Sequence, residues 1–343
     1  MSRAGTTAVL LGLALAGLVI VSAASGPVPV SGETAARIVA AKLFGRPDWL
    51  DGVSQLSQGL IWEVRLPRIF TCLCVGGALA LAGGLFQGLL RNPLADSYTL
   101  GVSAGGALGA CLGILAGVSA QGVLGVPLCS LAGSGAALAV VLVLASARGR
   151  LDNLSMILAG VIVAATLQAA LGFVKFLAGE NVSGLIFWLM GGFAAKTWSE
   201  AGLAGLALVL GLGASWAFAR DLDAMCLGDE AAASLGVPVT ALRLSLLAVG
   251  AGLSAMCVAV SGIIGFVGLV VPHMVRLAYG PRHARLLPLS ALGGAFLLLA
   301  ADTFARTILP REVPVGVITA MLGGPYFCLL FIRGGREAWG RDA

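Results

Sequence analysis

The chain has 343 residues, of which 59% are apolar and only 11% are charged, and its mean hydropathy is +1.00. Soluble domains carry about 25% charged residues, so this chain has too little charge to cover a soluble surface of its size. The composition excludes an ordinary soluble enzyme, a disordered chain and a disulfide-stapled secreted domain. The net charge of +5 comes with no basic run interleaved with aromatic residues, which also argues against a nucleic-acid partner.

A membrane-spanning helix needs about 20 mostly apolar residues, and ten segments qualify. In chain order they are 7–24, 65–90, 99–116, 122–146, 154–178, 202–219, 239–260, 263–279, 286–305 and 315–333. They predict an all-α polytopic membrane protein with about ten transmembrane helices in a single domain over 1–343. The first segment also resembles a signal peptide, because Arg3 precedes an apolar stretch that ends in small residues. An even number of spans, with both termini in the cytoplasm, fits the Lys and Arg distribution better if that segment is retained.

Two hydrophilic stretches interrupt this pattern. Residues 25–58 are amphipathic and predict a periplasmic segment with a short surface helix near 32–44. Residues 220–238 carry four acidic side chains and predict a cytoplasmic segment with a short helix from Glu230 to Leu235, which Gly236 and Pro238 end. This second stretch is too polar to span, so it lies on one face of the membrane.

Two further stretches break the helical pattern about half a chain apart. One is 91–96, which several glycines follow, and the other is 261–268, which Pro272 follows. Matching Gly and Pro interruptions in two halves are typical of the inverted repeats of many transporters. The sequence therefore predicts an inverted internal repeat.

The chemistry-bearing residues are few. Residues 191–197 resemble a phosphate-binding loop, but Met190 and Ala195 stand where its two glycines should be. The two histidines have no carboxylate or Cys at ligand spacing, and the seven cysteines form no C-x-x-C pair. We therefore predict no metal site, no catalytic site and no cofactor bound by this chain. Ionisable residues deep in the spans, which an ion-coupled carrier usually needs, are also scarce.

Charged residues at the ends of two predicted spans have two interpretations. Arg65 and Arg68 flank Pro67 at the start of the second span, and Asp302 and Arg306 are four residues apart on one helix face. They are either interfacial or locally paired side chains, or a positive docking surface for an acidic partner.

Taken together, these segments resemble the type II permease subunits of bacterial ABC importers for iron chelates, haem and cobalamin, from about residue 60 to 334. The motifs that carry the resemblance stand in order at 65–68, 83–96, 100–103, 188–192, 227–230, 235–236, 265–268, 271–273, 301–306 and 313–316. Each motif alone is weak, whereas the ordered set is specific. One departure is Ser97, where a Pro is frequent.

The resemblance implies ten helices in the cytoplasmic membrane of a bacterium or archaeon, with both termini inside. It implies a second permease copy, as a homodimer, and two cytoplasmic ATPases that use ATP and Mg²⁺. A periplasmic or lipid-anchored binding protein would deliver the cargo. Arg65, Arg68 and Arg306 match arginines that receive acidic residues of that protein, and we expect them at helix ends near water.

The resemblance also assigns two cytoplasmic sites. The ATPase coupling residues would be Leu227, Gly228, Asp229, Glu230, Ala231, Leu235 and Gly236. The cytoplasmic gate would include Asn92, Pro93, Leu94, Asn153 and Leu154, although Leu154 replaces a small hydroxyl residue found in some relatives. Gly228 would let the chain turn between two short helices, and reversing the charges of Asp229 and Glu230 should leave the membrane fold intact.

The resemblance implies ATP-driven import of a bulky metal chelate by alternating access. An iron–siderophore chelate is the first expectation, and cobalamin or haem is the alternative. Two remoter alternatives are an ion-coupled secondary transporter and a scaffold without a transport role. The scarcity of ionisable residues within the spans argues against the former, and the predicted coupling segment argues against the latter.

Overall fold

A computed structural model describes residues 3–26, 28–118, 122–147, 152–307 and 312–338, which fold as helices without a strand. The α-helices are α1 (Arg3–Ala24), α2 (Gly32–Phe44), α3 (Gln55–Gly59), α4 (Leu66–Leu89), α5 (Val102–Leu115), α6 (Gly125–Ser146), α7 (Asn153–Leu177), α8 (Val182–Leu189), α9 (Trp198–Ala217), α10 (Ala219–Met225), α11 (Asp229–Ser234), α12 (Val239–Ser261), α13 (Val267–Tyr279), α14 (His283–Thr307) and α15 (Val315–Ala338).

Seven helical stretches in the described part of the chain are long and apolar enough to cross a membrane. They are Gly5–Ala24, Gln55–Leu89, Gly125–Ser146, Asn153–Leu177, Trp198–Ala217, Val239–Ser261 and His283–Thr307. Three shorter apolar helices, Val102–Leu115, Val267–Tyr279 and Val315–Leu329, complete a set that corresponds one to one with the ten predicted segments. The predicted all-α polytopic membrane architecture is confirmed.

The second span begins earlier than the sequence suggested. A helical run starts at Gln55 and continues through a π-helical turn, Leu60–Arg65, into α4. Pro67 has no backbone N–H and cannot make the regular helical hydrogen bond, which explains the change from α-helical to π-helical winding just before it. Pro67 thus lies inside a longer helical run, and the predicted start at residue 65 was about ten residues too late.

Helix α4 is the centre of the bundle. Its side chains are buried along nearly its whole length, and α14, α9, α12 and α13 pack around it. Glycines set the distance at two of these contacts. A Cβ on Gly76 would lie 2.4 Å from the carbonyl oxygen of Gly294, and one on Gly83 would lie 1.8 Å from that of Gly268. Small residues therefore let the backbones touch, as the glycine-rich composition indicated.

The predicted helix over 32–44 is α2, which buries Ala35, Ile38 and Ala41. The rest of 25–58 is described except for residue 27. Both predicted interruptions lead into a short helix whose preceding residue has a left-handed conformation, Gly101 (φ 72°) before α5 and Phe266 (φ 67°) before α13. The two breaks are thus locally alike, and the inverted relation between the two halves stays a prediction.

Candidate functional site

The residues singled out from the sequence lie at the two ends of the bundle. Arg65 and Arg68 lie where α4 begins and Arg306 where α14 ends, and we call this the arginine end. The segment 220–238 follows α9 and lies at the other end of α4 and α14, which we call the coupling end. At 1.5 Å per residue, helices of this length separate the two ends by about 36 Å.

Arg65 is only 4% exposed and binds the end of α1. One terminal nitrogen donates to the carbonyl oxygens of Ala23 (2.5 Å) and Ala24 (3.1 Å), and the other donates to that of Val28. The last carbonyls of a helix have no partner within the helix and carry partial negative charge, so a guanidinium there satisfies both needs. Arg65 therefore caps α1.

Arg306 binds the same helix end and is 7% exposed. Its guanidinium donates to the backbone oxygen of Ser25 (2.7 Å), to the hydroxyl of Ser22 (2.6 Å) and to the backbone oxygen of Ser22. Gly26 lies between the two arginines, because a Cβ there would meet Arg65 at 3.0 Å and Arg306 at 3.6 Å. Together the two side chains hold the small residues that end the segment resembling a signal peptide.

Arg68 does not bind the end of α1 but binds two carboxylates. Its guanidinium binds the buried carboxylate of Asp302 at 2.9 Å and the half-exposed carboxylate of Glu312 at 3.0 Å. Arg306 approaches the same Asp302 at 3.7 Å, so the local pairing predicted for those two residues is present. Arg68 keeps 13% of its side chain exposed.

The expectation that all three arginines lie near water is therefore wrong for Arg65 and Arg306. Their guanidinium N–H groups donate to backbone carbonyl oxygens at the end of α1. These carbonyls need hydrogen-bond partners from the protein because water is scarce at the end of a membrane-spanning helix. Only Arg68, with its partner Glu312, has an exposed edge that a partner protein could meet. The docking role of the three arginines stays a prediction.

The coupling end carries two short helices with a sharp turn between them. Gly228, at φ 120°, separates α10 from α11, and α11 ends one residue before the predicted Leu235. Leu227 and Leu235 are 73% and 67% exposed although they lie in a polar segment outside the spans. Large apolar side chains exposed beside charged ones are typical of a contact surface for another protein. Ala231 and Gly236 are exposed beside them.

Asp229 binds the bundle although its side chain is 38% exposed. Its two carboxylate oxygens each accept from Arg243 of α12 at 2.8 Å, and Arg91 lies 3.7 Å away. Arg243 is only 4% exposed. Reversing the charge of Asp229 would therefore disturb the fold, contrary to the expectation from sequence, whereas the exposed Glu230 fits that expectation.

Residues 90–101 join α4 to α5, carry the predicted gate residues Asn92, Pro93 and Leu94, and are called the gate loop. This loop leaves α4 beside the segment 220–238, the coupling segment. Asn92 accepts the backbone N–H of Leu94 at 2.9 Å, which closes a tight turn, and Pro93 and Leu94 are exposed. Arg91 takes a left-handed conformation (φ 50°), and its guanidinium lies 3.7 Å from where a Cβ on Gly228 would stand. The start of the gate loop thus contacts the turn of the coupling segment.

The second part of the predicted gate begins α7. Asp152 caps this helix by accepting the N–H of Ser155 at 2.9 Å, and Leu154 is 66% exposed. About two turns into the helix, α7 meets the far end of the gate loop, where a Cβ on Gly160 would lie 2.3 Å from the carbonyl oxygen of Thr99.

A cavity of about 810 Å³ opens where the gate loop, α8, the 262–266 loop and α15 meet. Its wall is mostly apolar and includes Met190, Ile263, Phe266, Leu269, Val317 and Met321. Asp96, Tyr98 and Thr99 supply the polar part of the wall. Cavities of this volume are the size that takes a drug-sized ligand. The sequence did not predict α8, which is only eight residues long.

Three residues at the coupling end were not singled out from the sequence as functional: Asp223, Arg243 and His283. Arg243 lies within a predicted span, and a charge in such a place is itself a signal of a specific partner. His283 has no carboxylate at ligand spacing in the sequence, but it is the first residue of α14 and is 1% exposed. Nothing in the spacing of Asp223 and His283, sixty residues apart, indicates their contact. Among the described residues no group of three or more His, Cys, Asp or Glu side chains could hold a metal ion.

Comparison with known proteins identifies the family of this arrangement. Residues 13–333 match the model of the FecCD transport family. The chain is 40% identical to the hemin transport system permease protein HmuU of Yersinia pestis, over 80% of this chain and 83% of that protein. It is 38% identical to the Fe(3+) dicitrate transport system permease protein FecD of Escherichia coli, over 94% and 96%.

A solved structure described as an inward-facing metal-chelate type ABC transporter superposes with a TM-score of 0.82 and 30% identity, covering 96% of this chain and 99% of that one. The similarity thus extends over the whole bundle, including both of its ends. The chain belongs to the FecCD transport family.

Proposed function

We propose that this chain is the permease subunit of an ATP-driven importer that moves a bulky metal chelate, with an iron chelate as the first candidate. The observation that carries the proposal is the surface of the coupling segment, where Leu227 and Leu235 are exposed on two short helices outside the membrane spans. A segment of this kind needs a protein partner, and a permease of this family draws its energy from an ATPase.

The cavity supports a large cargo. A bare ion would need oxygen or nitrogen ligands at short range, whereas an apolar wall suits a ligand that already satisfies its metal. The relatives named above transport hemin and Fe(3+) dicitrate, which are both pre-chelated iron. Cobalamin stays an alternative cargo, because an apolar wall distinguishes poorly between bulky chelates.

The partners follow from the same argument. Two copies of this permease would enclose the pathway, two cytoplasmic ATPases would contact the coupling end, and a periplasmic or lipid-anchored binding protein would dock at the arginine end. Both termini would then be cytoplasmic. ATP and Mg²⁺ would be bound by the ATPases, and this chain would carry out no covalent step.

Reconstitution tests the proposal. Proteoliposomes that contain the permease, the ATPase and the binding protein should take up radiolabelled ferric dicitrate, hemin or cobalamin only when ATP is supplied to the ATPase side. Permease without the ATPase should take up none of them. Uptake driven by an ion gradient in the absence of the ATPase would show a secondary transporter instead.

A further inference from the structure

A buried histidine joins the coupling segment to the bundle. Asp223 lies on α10, and one of its carboxylate oxygens accepts both the backbone N–H of His283 (2.9 Å) and the ring Nδ1 of the same residue (2.6 Å). The carboxylate can only accept, so Nδ1 carries the proton in this contact. Asp223, on α10, thereby caps the N-terminus of α14. The partial positive charge at that end of the helix stabilises the negative carboxylate.

The ring of His283 is wedged against α4. A Cβ on Gly88 would lie 2.5 Å from Nε2, so only glycine leaves room for the ring there. The Sγ of Cys226, just after α10, lies 3.6 Å from the carbonyl oxygen of the same Gly88. Partial burial opposes ionisation of Asp223, but the hydrogen bonds from His283 outweigh it, so the pKa of Asp223 lies below its ordinary value. The junction of α10, α14 and α4 is therefore both tight and charged.

From this junction α14 runs to the arginine end. It begins at His283 and carries Asp302 and Arg306 near its other end, and α4 carries Arg68 beside them. The two helices touch backbone to backbone midway, at Gly76 and Gly294. Such close packing favours movement of the pair as one body, because packed interfaces switch between discrete arrangements and do not deform continuously. The pair thus spans from the coupling end to the arginine end.

We propose that Asp223 is a positioning residue that, through His283, fixes the coupling segment to the paired helices α4 and α14. When an ATPase displaces α10 and α11, the pair and its cluster of Arg68, Asp302 and Arg306 move with them. This inference rests on the proposed function. It gives the coupling end a rigid connection to the opposite end of the bundle, whereas Asp229 connects α11 to α12 through Arg243.

The test measures how far docking of the binding protein on one side of the membrane stimulates the ATPase on the other, and it does not measure uptake of cargo. In proteoliposomes that contain the assembled permease and ATPase, ATP hydrolysis is measured with and without the binding protein, which docks at the opposite end. Asp223→Asn and His283→Leu should lower this stimulation by about fivefold or more, which is the size of a typical coupling between sites. ATPase association, measured by co-purification, should be unchanged, and the double variant should be no worse than either single variant.

Two further variants separate positioning from mere stability. His283→Asn keeps a donor near the Nδ1 position and should retain most of the stimulation, whereas His283→Leu should not. Gly135→Ala, on α6, is the control: no atom lies within 4 Å of where its Cβ would stand, and it should leave the stimulation unchanged. If Asp223→Asn does not assemble, the two His283 variants decide the matter, because both keep Asp223.

The proposal is overturned if His283→Leu retains wild-type stimulation or if His283→Asn is as impaired as His283→Leu. It is also overturned if the variants lose ATPase association in proportion to their loss of stimulation. A wild-type complex that shows no ATPase association and no stimulation contradicts the proposed function itself. The two failures are thus distinguishable.

Discussion

At the scale of single residues, glycine decides how closely the central helix approaches its neighbours. Gly83 faces the backbone of Gly268, and no side chain can move aside to relieve a contact with backbone atoms. Other helical glycines are different. Gly135, on α6, has no atom within 4 Å of where its Cβ would stand.

Gly83→Ala should therefore destabilise the protein by about 1–3 kcal/mol or more, since overpacking shifts backbone. Gly135→Ala is the matched control, and it should be neutral or slightly stabilising because Ala favours a helix by up to about 1 kcal/mol. Thermal unfolding in detergent measures both. Equal unfolding temperatures for the two variants would contradict the close approach of α4 to α13.

The two neighbouring acids of the coupling segment make a second residue-scale comparison. Asp229→Lys places a cation beside Arg243 and Arg91, and we expect it to cost about 1–2 kcal/mol after allowance for the partial exposure of the carboxylate. Glu230→Lys is exposed and should leave the unfolding temperature unchanged. If both reversals are equally harmless to stability, the contact between Asp229 and Arg243 is not part of the folded state in solution.

At the scale of elements, the coupling segment shows how a polar stretch is held at the surface of an apolar bundle. Its helices α10 and α11 are short, seven and six residues, and are too short to be stable alone. Buried Leu222, Met225 and Ala232 anchor them, while Asp223 and Asp229 bind the bundle through His283 and Arg243. The outward face is therefore free to contact a partner without loosening the inward one.

A paired substitution tests that outward face. Leu227→Asp with Leu235→Asp should strongly reduce co-purification of the ATPase, because both leucines would lose apolar contact with it. The unfolding temperature should hardly change, since both side chains are exposed in the permease. Leu56→Asp, at an equally exposed leucine outside this segment, is the control and should retain the ATPase. Full retention of the ATPase by the paired variant would remove the coupling assignment.

At the scale of the whole molecule, the arginine end combines a structural role with the predicted docking role. Arg65 and Arg306 hold α1, whereas Arg68 reaches the exposed Glu312. A charge reversal at all three positions would therefore unseat α1 and could not test docking. Single substitutions separate the two roles.

Arg68→Gln should slow association of the binding protein by a few-fold and reduce its dependence on salt, because exposed charges steer association more than they stabilise it. Arg65→Gln and Arg306→Gln should lower the unfolding temperature without changing this salt dependence. Arg68→Gln should change both, because it leaves the buried carboxylate of Asp302 without its partner at 2.9 Å. Arg285→Gln, exposed at the coupling end, is the control and should leave binding-protein association unchanged. Salt-independent association of the wild-type complex would remove the docking claim.

The sequence by itself determined that the protein lies in a membrane, that it has ten apolar helices and that a polar segment at 220–238 interrupts them. Each of these depends on a local signal, either a run of apolar residues or a polar interruption. The turn at Gly228 was expected from the resemblance to the family. The motifs of the family were also readable, because they are contiguous. The helix before Pro67 and the short α8 were missed, since polar or brief segments leave weak local signals.

Only the tertiary structure decided what the charged residues do. Arg65, Arg306 and Asp229 looked like surface charges because they lie near segment ends, yet their hydrogen-bond partners are 14 to 284 residues away in the chain. Asp223 and His283 likewise meet only because α10 packs on α14 and α4. In an apolar bundle a charged side chain is stable only where another part of the chain supplies its partner, and sequence spacing does not specify that partner.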